Sequence, residues 1–311
     1  MNVVALSGGV GGARFLRGLV DVVDPERLTI VGNVGDDVEI LGLHVSPDLD
    51  SILYALAGLA DDERGWGRAE ETWHALAAAV ELGGEDWFRL GDRDLGLHLV
   101  RTQALRRGES LSAVTARLAG RLGLLPALLP ASDDVLRTWL VTAAGTFPFQ
   151  EWFVARGHRD EVDAVQFRGA ATARPAPGVL EGLASAELIV LAPSNPYVSI
   201  GPILAIEELR VALARRSVPA VAVSPLIGGR AVRGPADRML TRLAGGTSPA
   251  HVAGCYAGLI DALVLDAADA DDVSTLADLG VRPIVTSTLM RTPDARRRLA
   301  EAALEGAAAL R

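Results

Sequence analysis

Short apolar runs and amphipathic stretches alternate along the chain. Val3-Val4-Ala5-Leu6 is uninterrupted apolar sequence, the pattern of a strand buried on both faces. Residues 15–23 then carry apolar side chains at Phe15, Leu16, Leu19, Val20, Val22 and Val23, which gives a helix with one apolar face. Apolar runs at 28–31, 188–191, 218–223, 262–265 and 283–286 predict further strands. Ser46 as N-cap and Pro47 at the first helical position open a helix whose buried face is Ile52, Leu53, Leu56 and Leu59. The spacing predicts helices over 70–81, 95–107, 111–121 (capped by Ser110) and 203–215, a short one after 175–178, and a last one at the C-terminus. Residues 135–142 and 149–154 read as two strands of a hairpin across 143–148. Strands alternating with helices predict an α/β fold, a Rossmann-like three-layer sandwich with a mostly parallel sheet. Residues 1–311 are expected to form a single domain, with about 60–130 as an inserted helical region and 249–311 at the far edge of the sheet.

The linkers carry the chemistry. Gly8, Gly9, Gly11 and Gly12 stand between the first strand and its helix, where backbone N–H groups and a helix N-terminus suit a phosphate. A side chain there would block close approach of an anion. No lysine follows, so this is not a P-loop, and the spacing is not G-x-G-x-x-G; a tight turn is the plainer alternative. The loop Gly32-Asn33-Val34-Gly35-Asp36-Asp37 leaves the second strand on the same rim, where open α/β sheets bind ligands. It is either a polar turn or, with Asp48 and Asp50 of the next helix, a source of oxygen ligands for Mg²⁺. Asp48 and Asp50 also suit a helix N-terminus on their own account.

Trp87 to Asp94 is dense in charge and aromatics: a surface ion-pair cluster, or a stacking site for an aromatic ligand. His98 reads as packed or solvated, and the five histidines lack metal-ligand spacing. Two later strands end in loops rich in Ser, Pro and Gly. The first contains Ser194 and Asn195; the second contains Ser224, Gly228, Gly229, Arg230 and Arg233. The arginine pair is either a diphosphate clamp or solvated.

Composition narrows the classes. The net charge of −9 argues against a nucleic-acid partner. No apolar stretch approaches the roughly 18 residues of a membrane span, and the N-terminus lacks a basic signal-peptide region. Cys255 is the one cysteine, which excludes an internal disulfide and a cysteine-based metal cluster. The 30 basic residues are all arginine, so Schiff-base chemistry is excluded and planar guanidinium recognition of phosphate or carboxylate remains. A cytoplasmic enzyme is expected.

Seven segments in order carry a specific resemblance. They are Ser7 to Gly12, Gly32 to Asp37, Ser46 to Asp50, Leu90 to Asp94, Phe149 to Trp152, Ala192 to Pro196 with Ser199 to Pro202, and Ser224 to Gly229. Together they resemble the 2-phospho-L-lactate transferase family of coenzyme F-420 biosynthesis, whose bacterial branch is called phosphoenolpyruvate transferase. The resemblance covers nearly the whole chain. It implies transfer of a phosphate-bearing three-carbon acid from enolpyruvyl- or lactyl-diphosphoguanosine to Fo (7,8-didemethyl-8-hydroxy-5-deazariboflavin), with release of GMP. In the family pattern the ribityl hydroxyl of Fo attacks the phosphorus nearest the acid, with Mg²⁺ across the diphosphate. Asp50 and Arg89 match the Fo contacts, and Asp50 is also the candidate catalytic residue, as general base or metal ligand. Asp36 and Asp37 match the metal site. Gly8, Gly9, Gly11, Gly12, Asn33, Ser194, Asn195, Ser224, Gly228, Gly229 and Arg230 match the donor site. The 60–130 region would cover the deazaflavin, and a homodimer is implied. Arg89, Arg230 and Arg233 stand where relatives can carry lysine.

Two alternatives are a UDP-sugar-binding regulator of the gluconeogenesis-factor type, which shares the early glycine and Asn/Asp pattern, and a nicotinamide oxidoreductase. The first lacks the matches at 90–94 and 149–152. The second requires a lone acidic residue ending strand two, where Asn33 stands instead.

Overall fold

The computed structural model describes residues 1–310, with Asp272 described by its backbone alone. The opening apolar run becomes β1 (Val3–Ser7), buried at every position; Gly8 is the extended N-cap, and Gly9, Gly11 and Gly12 already belong to α1 (Gly9–Leu19). Then come β2 (Leu28–Gly32), a small hairpin of β3 (Val38–Ile40) and β4 (Leu43–Val45), and α2 (Pro47–Leu56). The next region holds α3 (His74–Glu81), α4 (Asp92–Arg106), α5 (Leu111–Arg121) and β5 (Ala127–Pro130). An antiparallel unit follows, made of β6 (Arg137–Thr142), β7 (Gly145–Pro148) and β8 (Val162–Arg168). The second half comprises α6 (Val179–Ser185), β9 (Leu188–Leu191), α7 (Gly201–Leu204), α8 (Glu207–Ala214) and β10 (Ala220–Val223). It closes with β11 (Leu226–Ile227), β12 (Arg230–Ala231), α9 (Ala236–Ala244), α10 (Pro249–Gly254), β13 (Ala262–Asp266), α11 (Ser274–Ala277), β14 (Arg282–Thr286) and α12 (Pro293–Ala308).

Seven strands form one sheet in the order β14-β13-β10-β9-β1-β2-β5, every pair parallel. From β1 the chain steps outward through β2 to β5, then returns to β9 beside β1 and steps the other way to β14. Right-handed crossovers in opposite directions place helices on both faces, which is why the central strands read as unbroken apolar runs. On one side α1 packs against α2 and α12; α6 packs against α8. The order reverses between β1 and β9, so the crevice at the C-terminal ends of these two strands is where a ligand belongs.

Several sequence expectations need correction. Residues 127–130 are not the tail of a helical region but the edge strand β5, paired with β2. The 149–154 run is not a strand. The partner of β6 is β7, and Glu151–Ala155 forms a widened helical turn. Its aromatics recur at helical spacing, so Phe149 and Trp152 both pack inward with Leu140, Val162, Val198 and Met239 in a second core. The expected 203–215 helix is interrupted between α7 and α8, and the hairpin β3–β4 and strand β8 carried too short or too polar a pattern to be read.

Candidate active site

At the switch point the loop after β9 is bound to the end of β1. Ser194 Oγ donates to the Gly8 carbonyl (2.7 Å) and accepts from the Gly8 amide (3.3 Å). The glycines are required by close packing. A Cβ on Gly8 would lie 2.6 Å from Asp48 Oδ2, one on Gly11 2.7 Å from the Pro193 carbonyl, and one on Gly12 2.6 Å from Ser194 Oγ. Gly9 adopts φ +66, and its amide serves Asp48. Of the expected phosphate-loop amides, those of Gly8 and Gly9 are therefore engaged by Ser194 and Asp48. The first-turn amides of Val10 and Gly11 have no acceptor within the helix.

Beside this turn lie four buried carboxylates, Asp36, Asp37, Asp48 and Asp50. Two come from the loop after β2 and two from the first turn of α2. Asn33 ties the two segments together. Its Nδ2 donates to Asp48 Oδ2 (2.8 Å) and to the Val198 carbonyl (3.2 Å), while its Oδ1 accepts from the Gly35 amide (2.7 Å). Burial, followed by repulsion from Asp48, raises the Asp36 carboxyl well above the usual carboxylate range. Burial likewise pushes Asp48 up to about 6, opposed by the hydrogen bonds from Asn33 and the Gly9 amide. Asp37 Oδ2 accepts from Ser46 Oγ (3.0 Å) and lies 3.0 Å from His44 Nε2. Ser46 is thus drawn away from the capping role expected of it. Asp36 Oδ1 and Asp37 Oδ1 are buried without a hydrogen-bond partner.

Asp50 differs from the other three. Arg101 of α4, fully buried, donates from Nη1 to Asp50 Oδ2 (3.0 Å) and from Nη2 to Oδ1. His98 Nδ1 lies 3.7 Å from Asp50 Oδ2, and its Nε2 lies 3.3 Å from Asp94 Oδ1, which also accepts from the Tyr54 hydroxyl. Burial and the charges of Asp50 and Asp94 push that hydroxyl far above the ordinary tyrosine range. Sequence reasoning missed this network. Its signal was the spacing Asp94, His98, Arg101, one stripe of a helix, and His98 is packed rather than solvated.

The remaining predicted residues are more dispersed. Arg89 is exposed, its guanidinium 4.8 Å from the centre of the Trp73 ring, and it shares no hydrogen bond or ion pair with Asp50. Asn195 Oδ1 accepts from the Tyr197 amide. Ser224 Oγ accepts from the Leu226 amide, while the amides of Gly228 and Gly229 both donate to the Asp269 carboxylate (3.0 and 2.8 Å). Arg230 is exposed, and Arg233 donates to the Arg64 carbonyl (2.9 Å).

A family model described as "2-phospho-L-lactate transferase CofD" matches residues 3–285. The chain belongs to this family. A Kitasatospora aureofaciens protein named phosphoenolpyruvate transferase is 45% identical over 311 residues, covering 98% of this chain and 97% of its own. A Thermobifida fusca protein of the same name is 43% identical, covering 94% of each chain. Among solved structures, a Bacillus halodurans protein superposes with TM-score 0.65 over 97% of this chain and 99% of its own. A second structure, titled as a UPF0052 family member from that organism, gives 0.63. Both are 18% identical and share the fold alone. Membership of the CofD family makes this chain a transferase of coenzyme F-420 biosynthesis, as the seven ordered segments implied.

Proposed function

We propose that this CofD-family transferase moves a phosphoenolpyruvyl group from enolpyruvyl-diphosphoguanosine to the terminal ribityl hydroxyl of Fo. The hydroxyl gives up its proton, with Asp50 as the candidate acceptor, and its oxygen forms a bond to the phosphorus nearest the acid; the bond from that phosphorus to the GMP oxygen breaks, and GMP departs with the electron pair. The choice of enolpyruvyl over lactyl rests on the name carried by the relatives at 45% and 43% identity. The observation that carries the reading is the buried acidic cluster at the β1/β9 crevice. Its orphaned oxygens and raised carboxyls call for a cation, and cation-bridged carboxylates are what a diphosphate donor needs.

Asp36 and Asp37 would hold Mg²⁺ through those orphaned oxygens, with Asp48 beside them. Among the described residues no three His, Cys, Asp or Glu side chains are grouped so as to hold a metal ion, so Mg²⁺ here would rest on one or two carboxylates and draw its other ligands from water and phosphate. When bound, Mg²⁺ supplies neutralisation of the diphosphate charge. The α1 N-terminus and the loops at 192–201 and 224–234 take the donor; Asp50, Arg89 and the 60–130 region take Fo. A cytoplasmic homodimer completes the reading. No helix among the described residues is long and apolar enough to cross a membrane.

The test is a turnover assay with Fo, Mg²⁺ and either the enolpyruvyl or the lactyl donor, products read by mass. An enolpyruvyl product supports the reading. A lactyl product alone reverses the donor, and no product with intact UDP-sugar binding moves the chain to the regulatory class.

A further inference from the structure

The four buried carboxylates are not equivalent, and one side chain divides them. Both oxygens of Asp50 accept from the guanidinium of Arg101. Among the described residues Asp36, Asp37 and Asp48 pair with no arginine, and the first two each retain an unpartnered oxygen. A guanidinium fork fixes the plane of the carboxylate it grips and uses one lone pair on each oxygen, leaving the others aimed in set directions. It also cancels the charge that would draw Asp50 toward a divalent cation. Arg101 reaches Asp50 from α4, in the region between 60 and 130, and replacing a buried pair by apolar side chains is generally no worse for stability. The pair is therefore poorly explained as a fold-stabilising device.

We propose that Arg101 is a positioning residue for the acceptor: it orients Asp50 as a hydrogen-bond acceptor toward Fo and keeps it out of the metal set. The proposal rests on the transferase reading. His98, 3.7 Å from Asp50 and braced by Asp94, backs the same carboxylate from the next turn of α4. Arg101 acts through Asp50 and need not touch Fo itself.

The experiment compares wild type, Arg101→Lys, Arg101→Met, Asp50→Asn and the double variant Asp50→Asn/Arg101→Met. Steady-state KM values for Fo and for the guanosine donor are measured alongside melting temperatures. Arg101→Met is expected to raise KM for Fo about tenfold or more while the donor KM stays within about twofold, and Arg101→Lys to recover part of the loss. In the Asp50→Asn background Arg101→Met should add less than about twofold, because the residue it positions is already disabled. An equal rise in both KM values with a lower melting temperature, or a full Arg101 effect in the Asp50→Asn background, overturns the proposal. Should Arg101→Met leave Asp50 unpaired and fail to fold, Arg101→Lys keeps a cation beside Asp50 without the two-pronged grip, and a rise in its Fo KM with an unchanged donor KM supports the proposal, while equal rises overturn it. An inactive wild type sinks the transferase reading instead; Fo binding, read by its fluorescence, then makes the same comparison without turnover.

Discussion

At the scale of single residues, the acidic cluster sets function against stability. Asp36 is buried beside Asp48 and Asp37 with an unpartnered oxygen, so its charge is unfavourable in the metal-free protein. Asp36→Asn should keep or raise the melting temperature while lowering Mg²⁺-dependent turnover by about a hundredfold or more, the trade expected of a strained functional group. Near-normal turnover would remove Asp36 from the metal site. Asp48 gives a pH prediction of definite sign. Its carboxyl titrates at about 6 in the fold against 3.8 ordinarily, so between those values the folded chain binds a proton that the unfolded chain has lost. The contribution of Asp48 to stability is thus fully present below about 3.8 and is lost as pH rises through 6. Denaturant unfolding of Asp48→Asn should show a weaker fall in stability across that window than wild type. An identical slope would mean that the Asp48 carboxyl is not raised.

Among the elements, the charged stretch before α4 proves to be a mutual capping device. Asp92 Oδ1 accepts from the Ala75 amide and Oδ2 from the His74 amide, closing the N-terminus of α3. In return Glu71 accepts from the amides of Arg93 and Asp94 and closes α4. A Cβ on Gly91 would run into the Glu71 carboxyl, so that glycine is there to admit the cap. The segment had read as either a surface cluster or a ligand platform; its aspartates cap α3 and receive the Tyr54 hydroxyl. Glu71→Ala should cost about 1 kcal/mol, the usual effect of losing an N-cap, and should loosen α4, which carries Arg101. Hydrogen exchange of the α4 amides is the direct measurement: unchanged protection would show that the cap is dispensable. A different element prediction concerns α1. Gly12→Ala places a methyl group against the Ser194 hydroxyl and should cost about 1–3 kcal/mol by overpacking, seen as a lower denaturation midpoint; an unchanged midpoint would mean that the crevice relaxes freely.

For the molecule as a whole, the location of the site follows from chain order. Because β9 returns to the side of β1 opposite β2, the two outward-running halves leave a crevice between β1 and β9, and Gly8 and Ser194 meet there across 186 residues. The sequence by itself determined the alternation of buried strands and helices, hence a parallel sheet with two covered faces, because apolar runs have to be buried whatever their neighbours. It also marked Asn33, Asp36, Asp37, Asp48 and Asp50, since loops at strand ends and first helical turns are local features. Only the tertiary structure decided which partners these groups have. That Arg101 grips Asp50 from 51 residues away, that Asp269 occupies the amides of Gly228 and Gly229, and that residues 127–130 pair as an edge strand are long-range contacts. No local pattern encodes them, because a side chain's spacing along the chain states which face it shares and not what stands opposite that face.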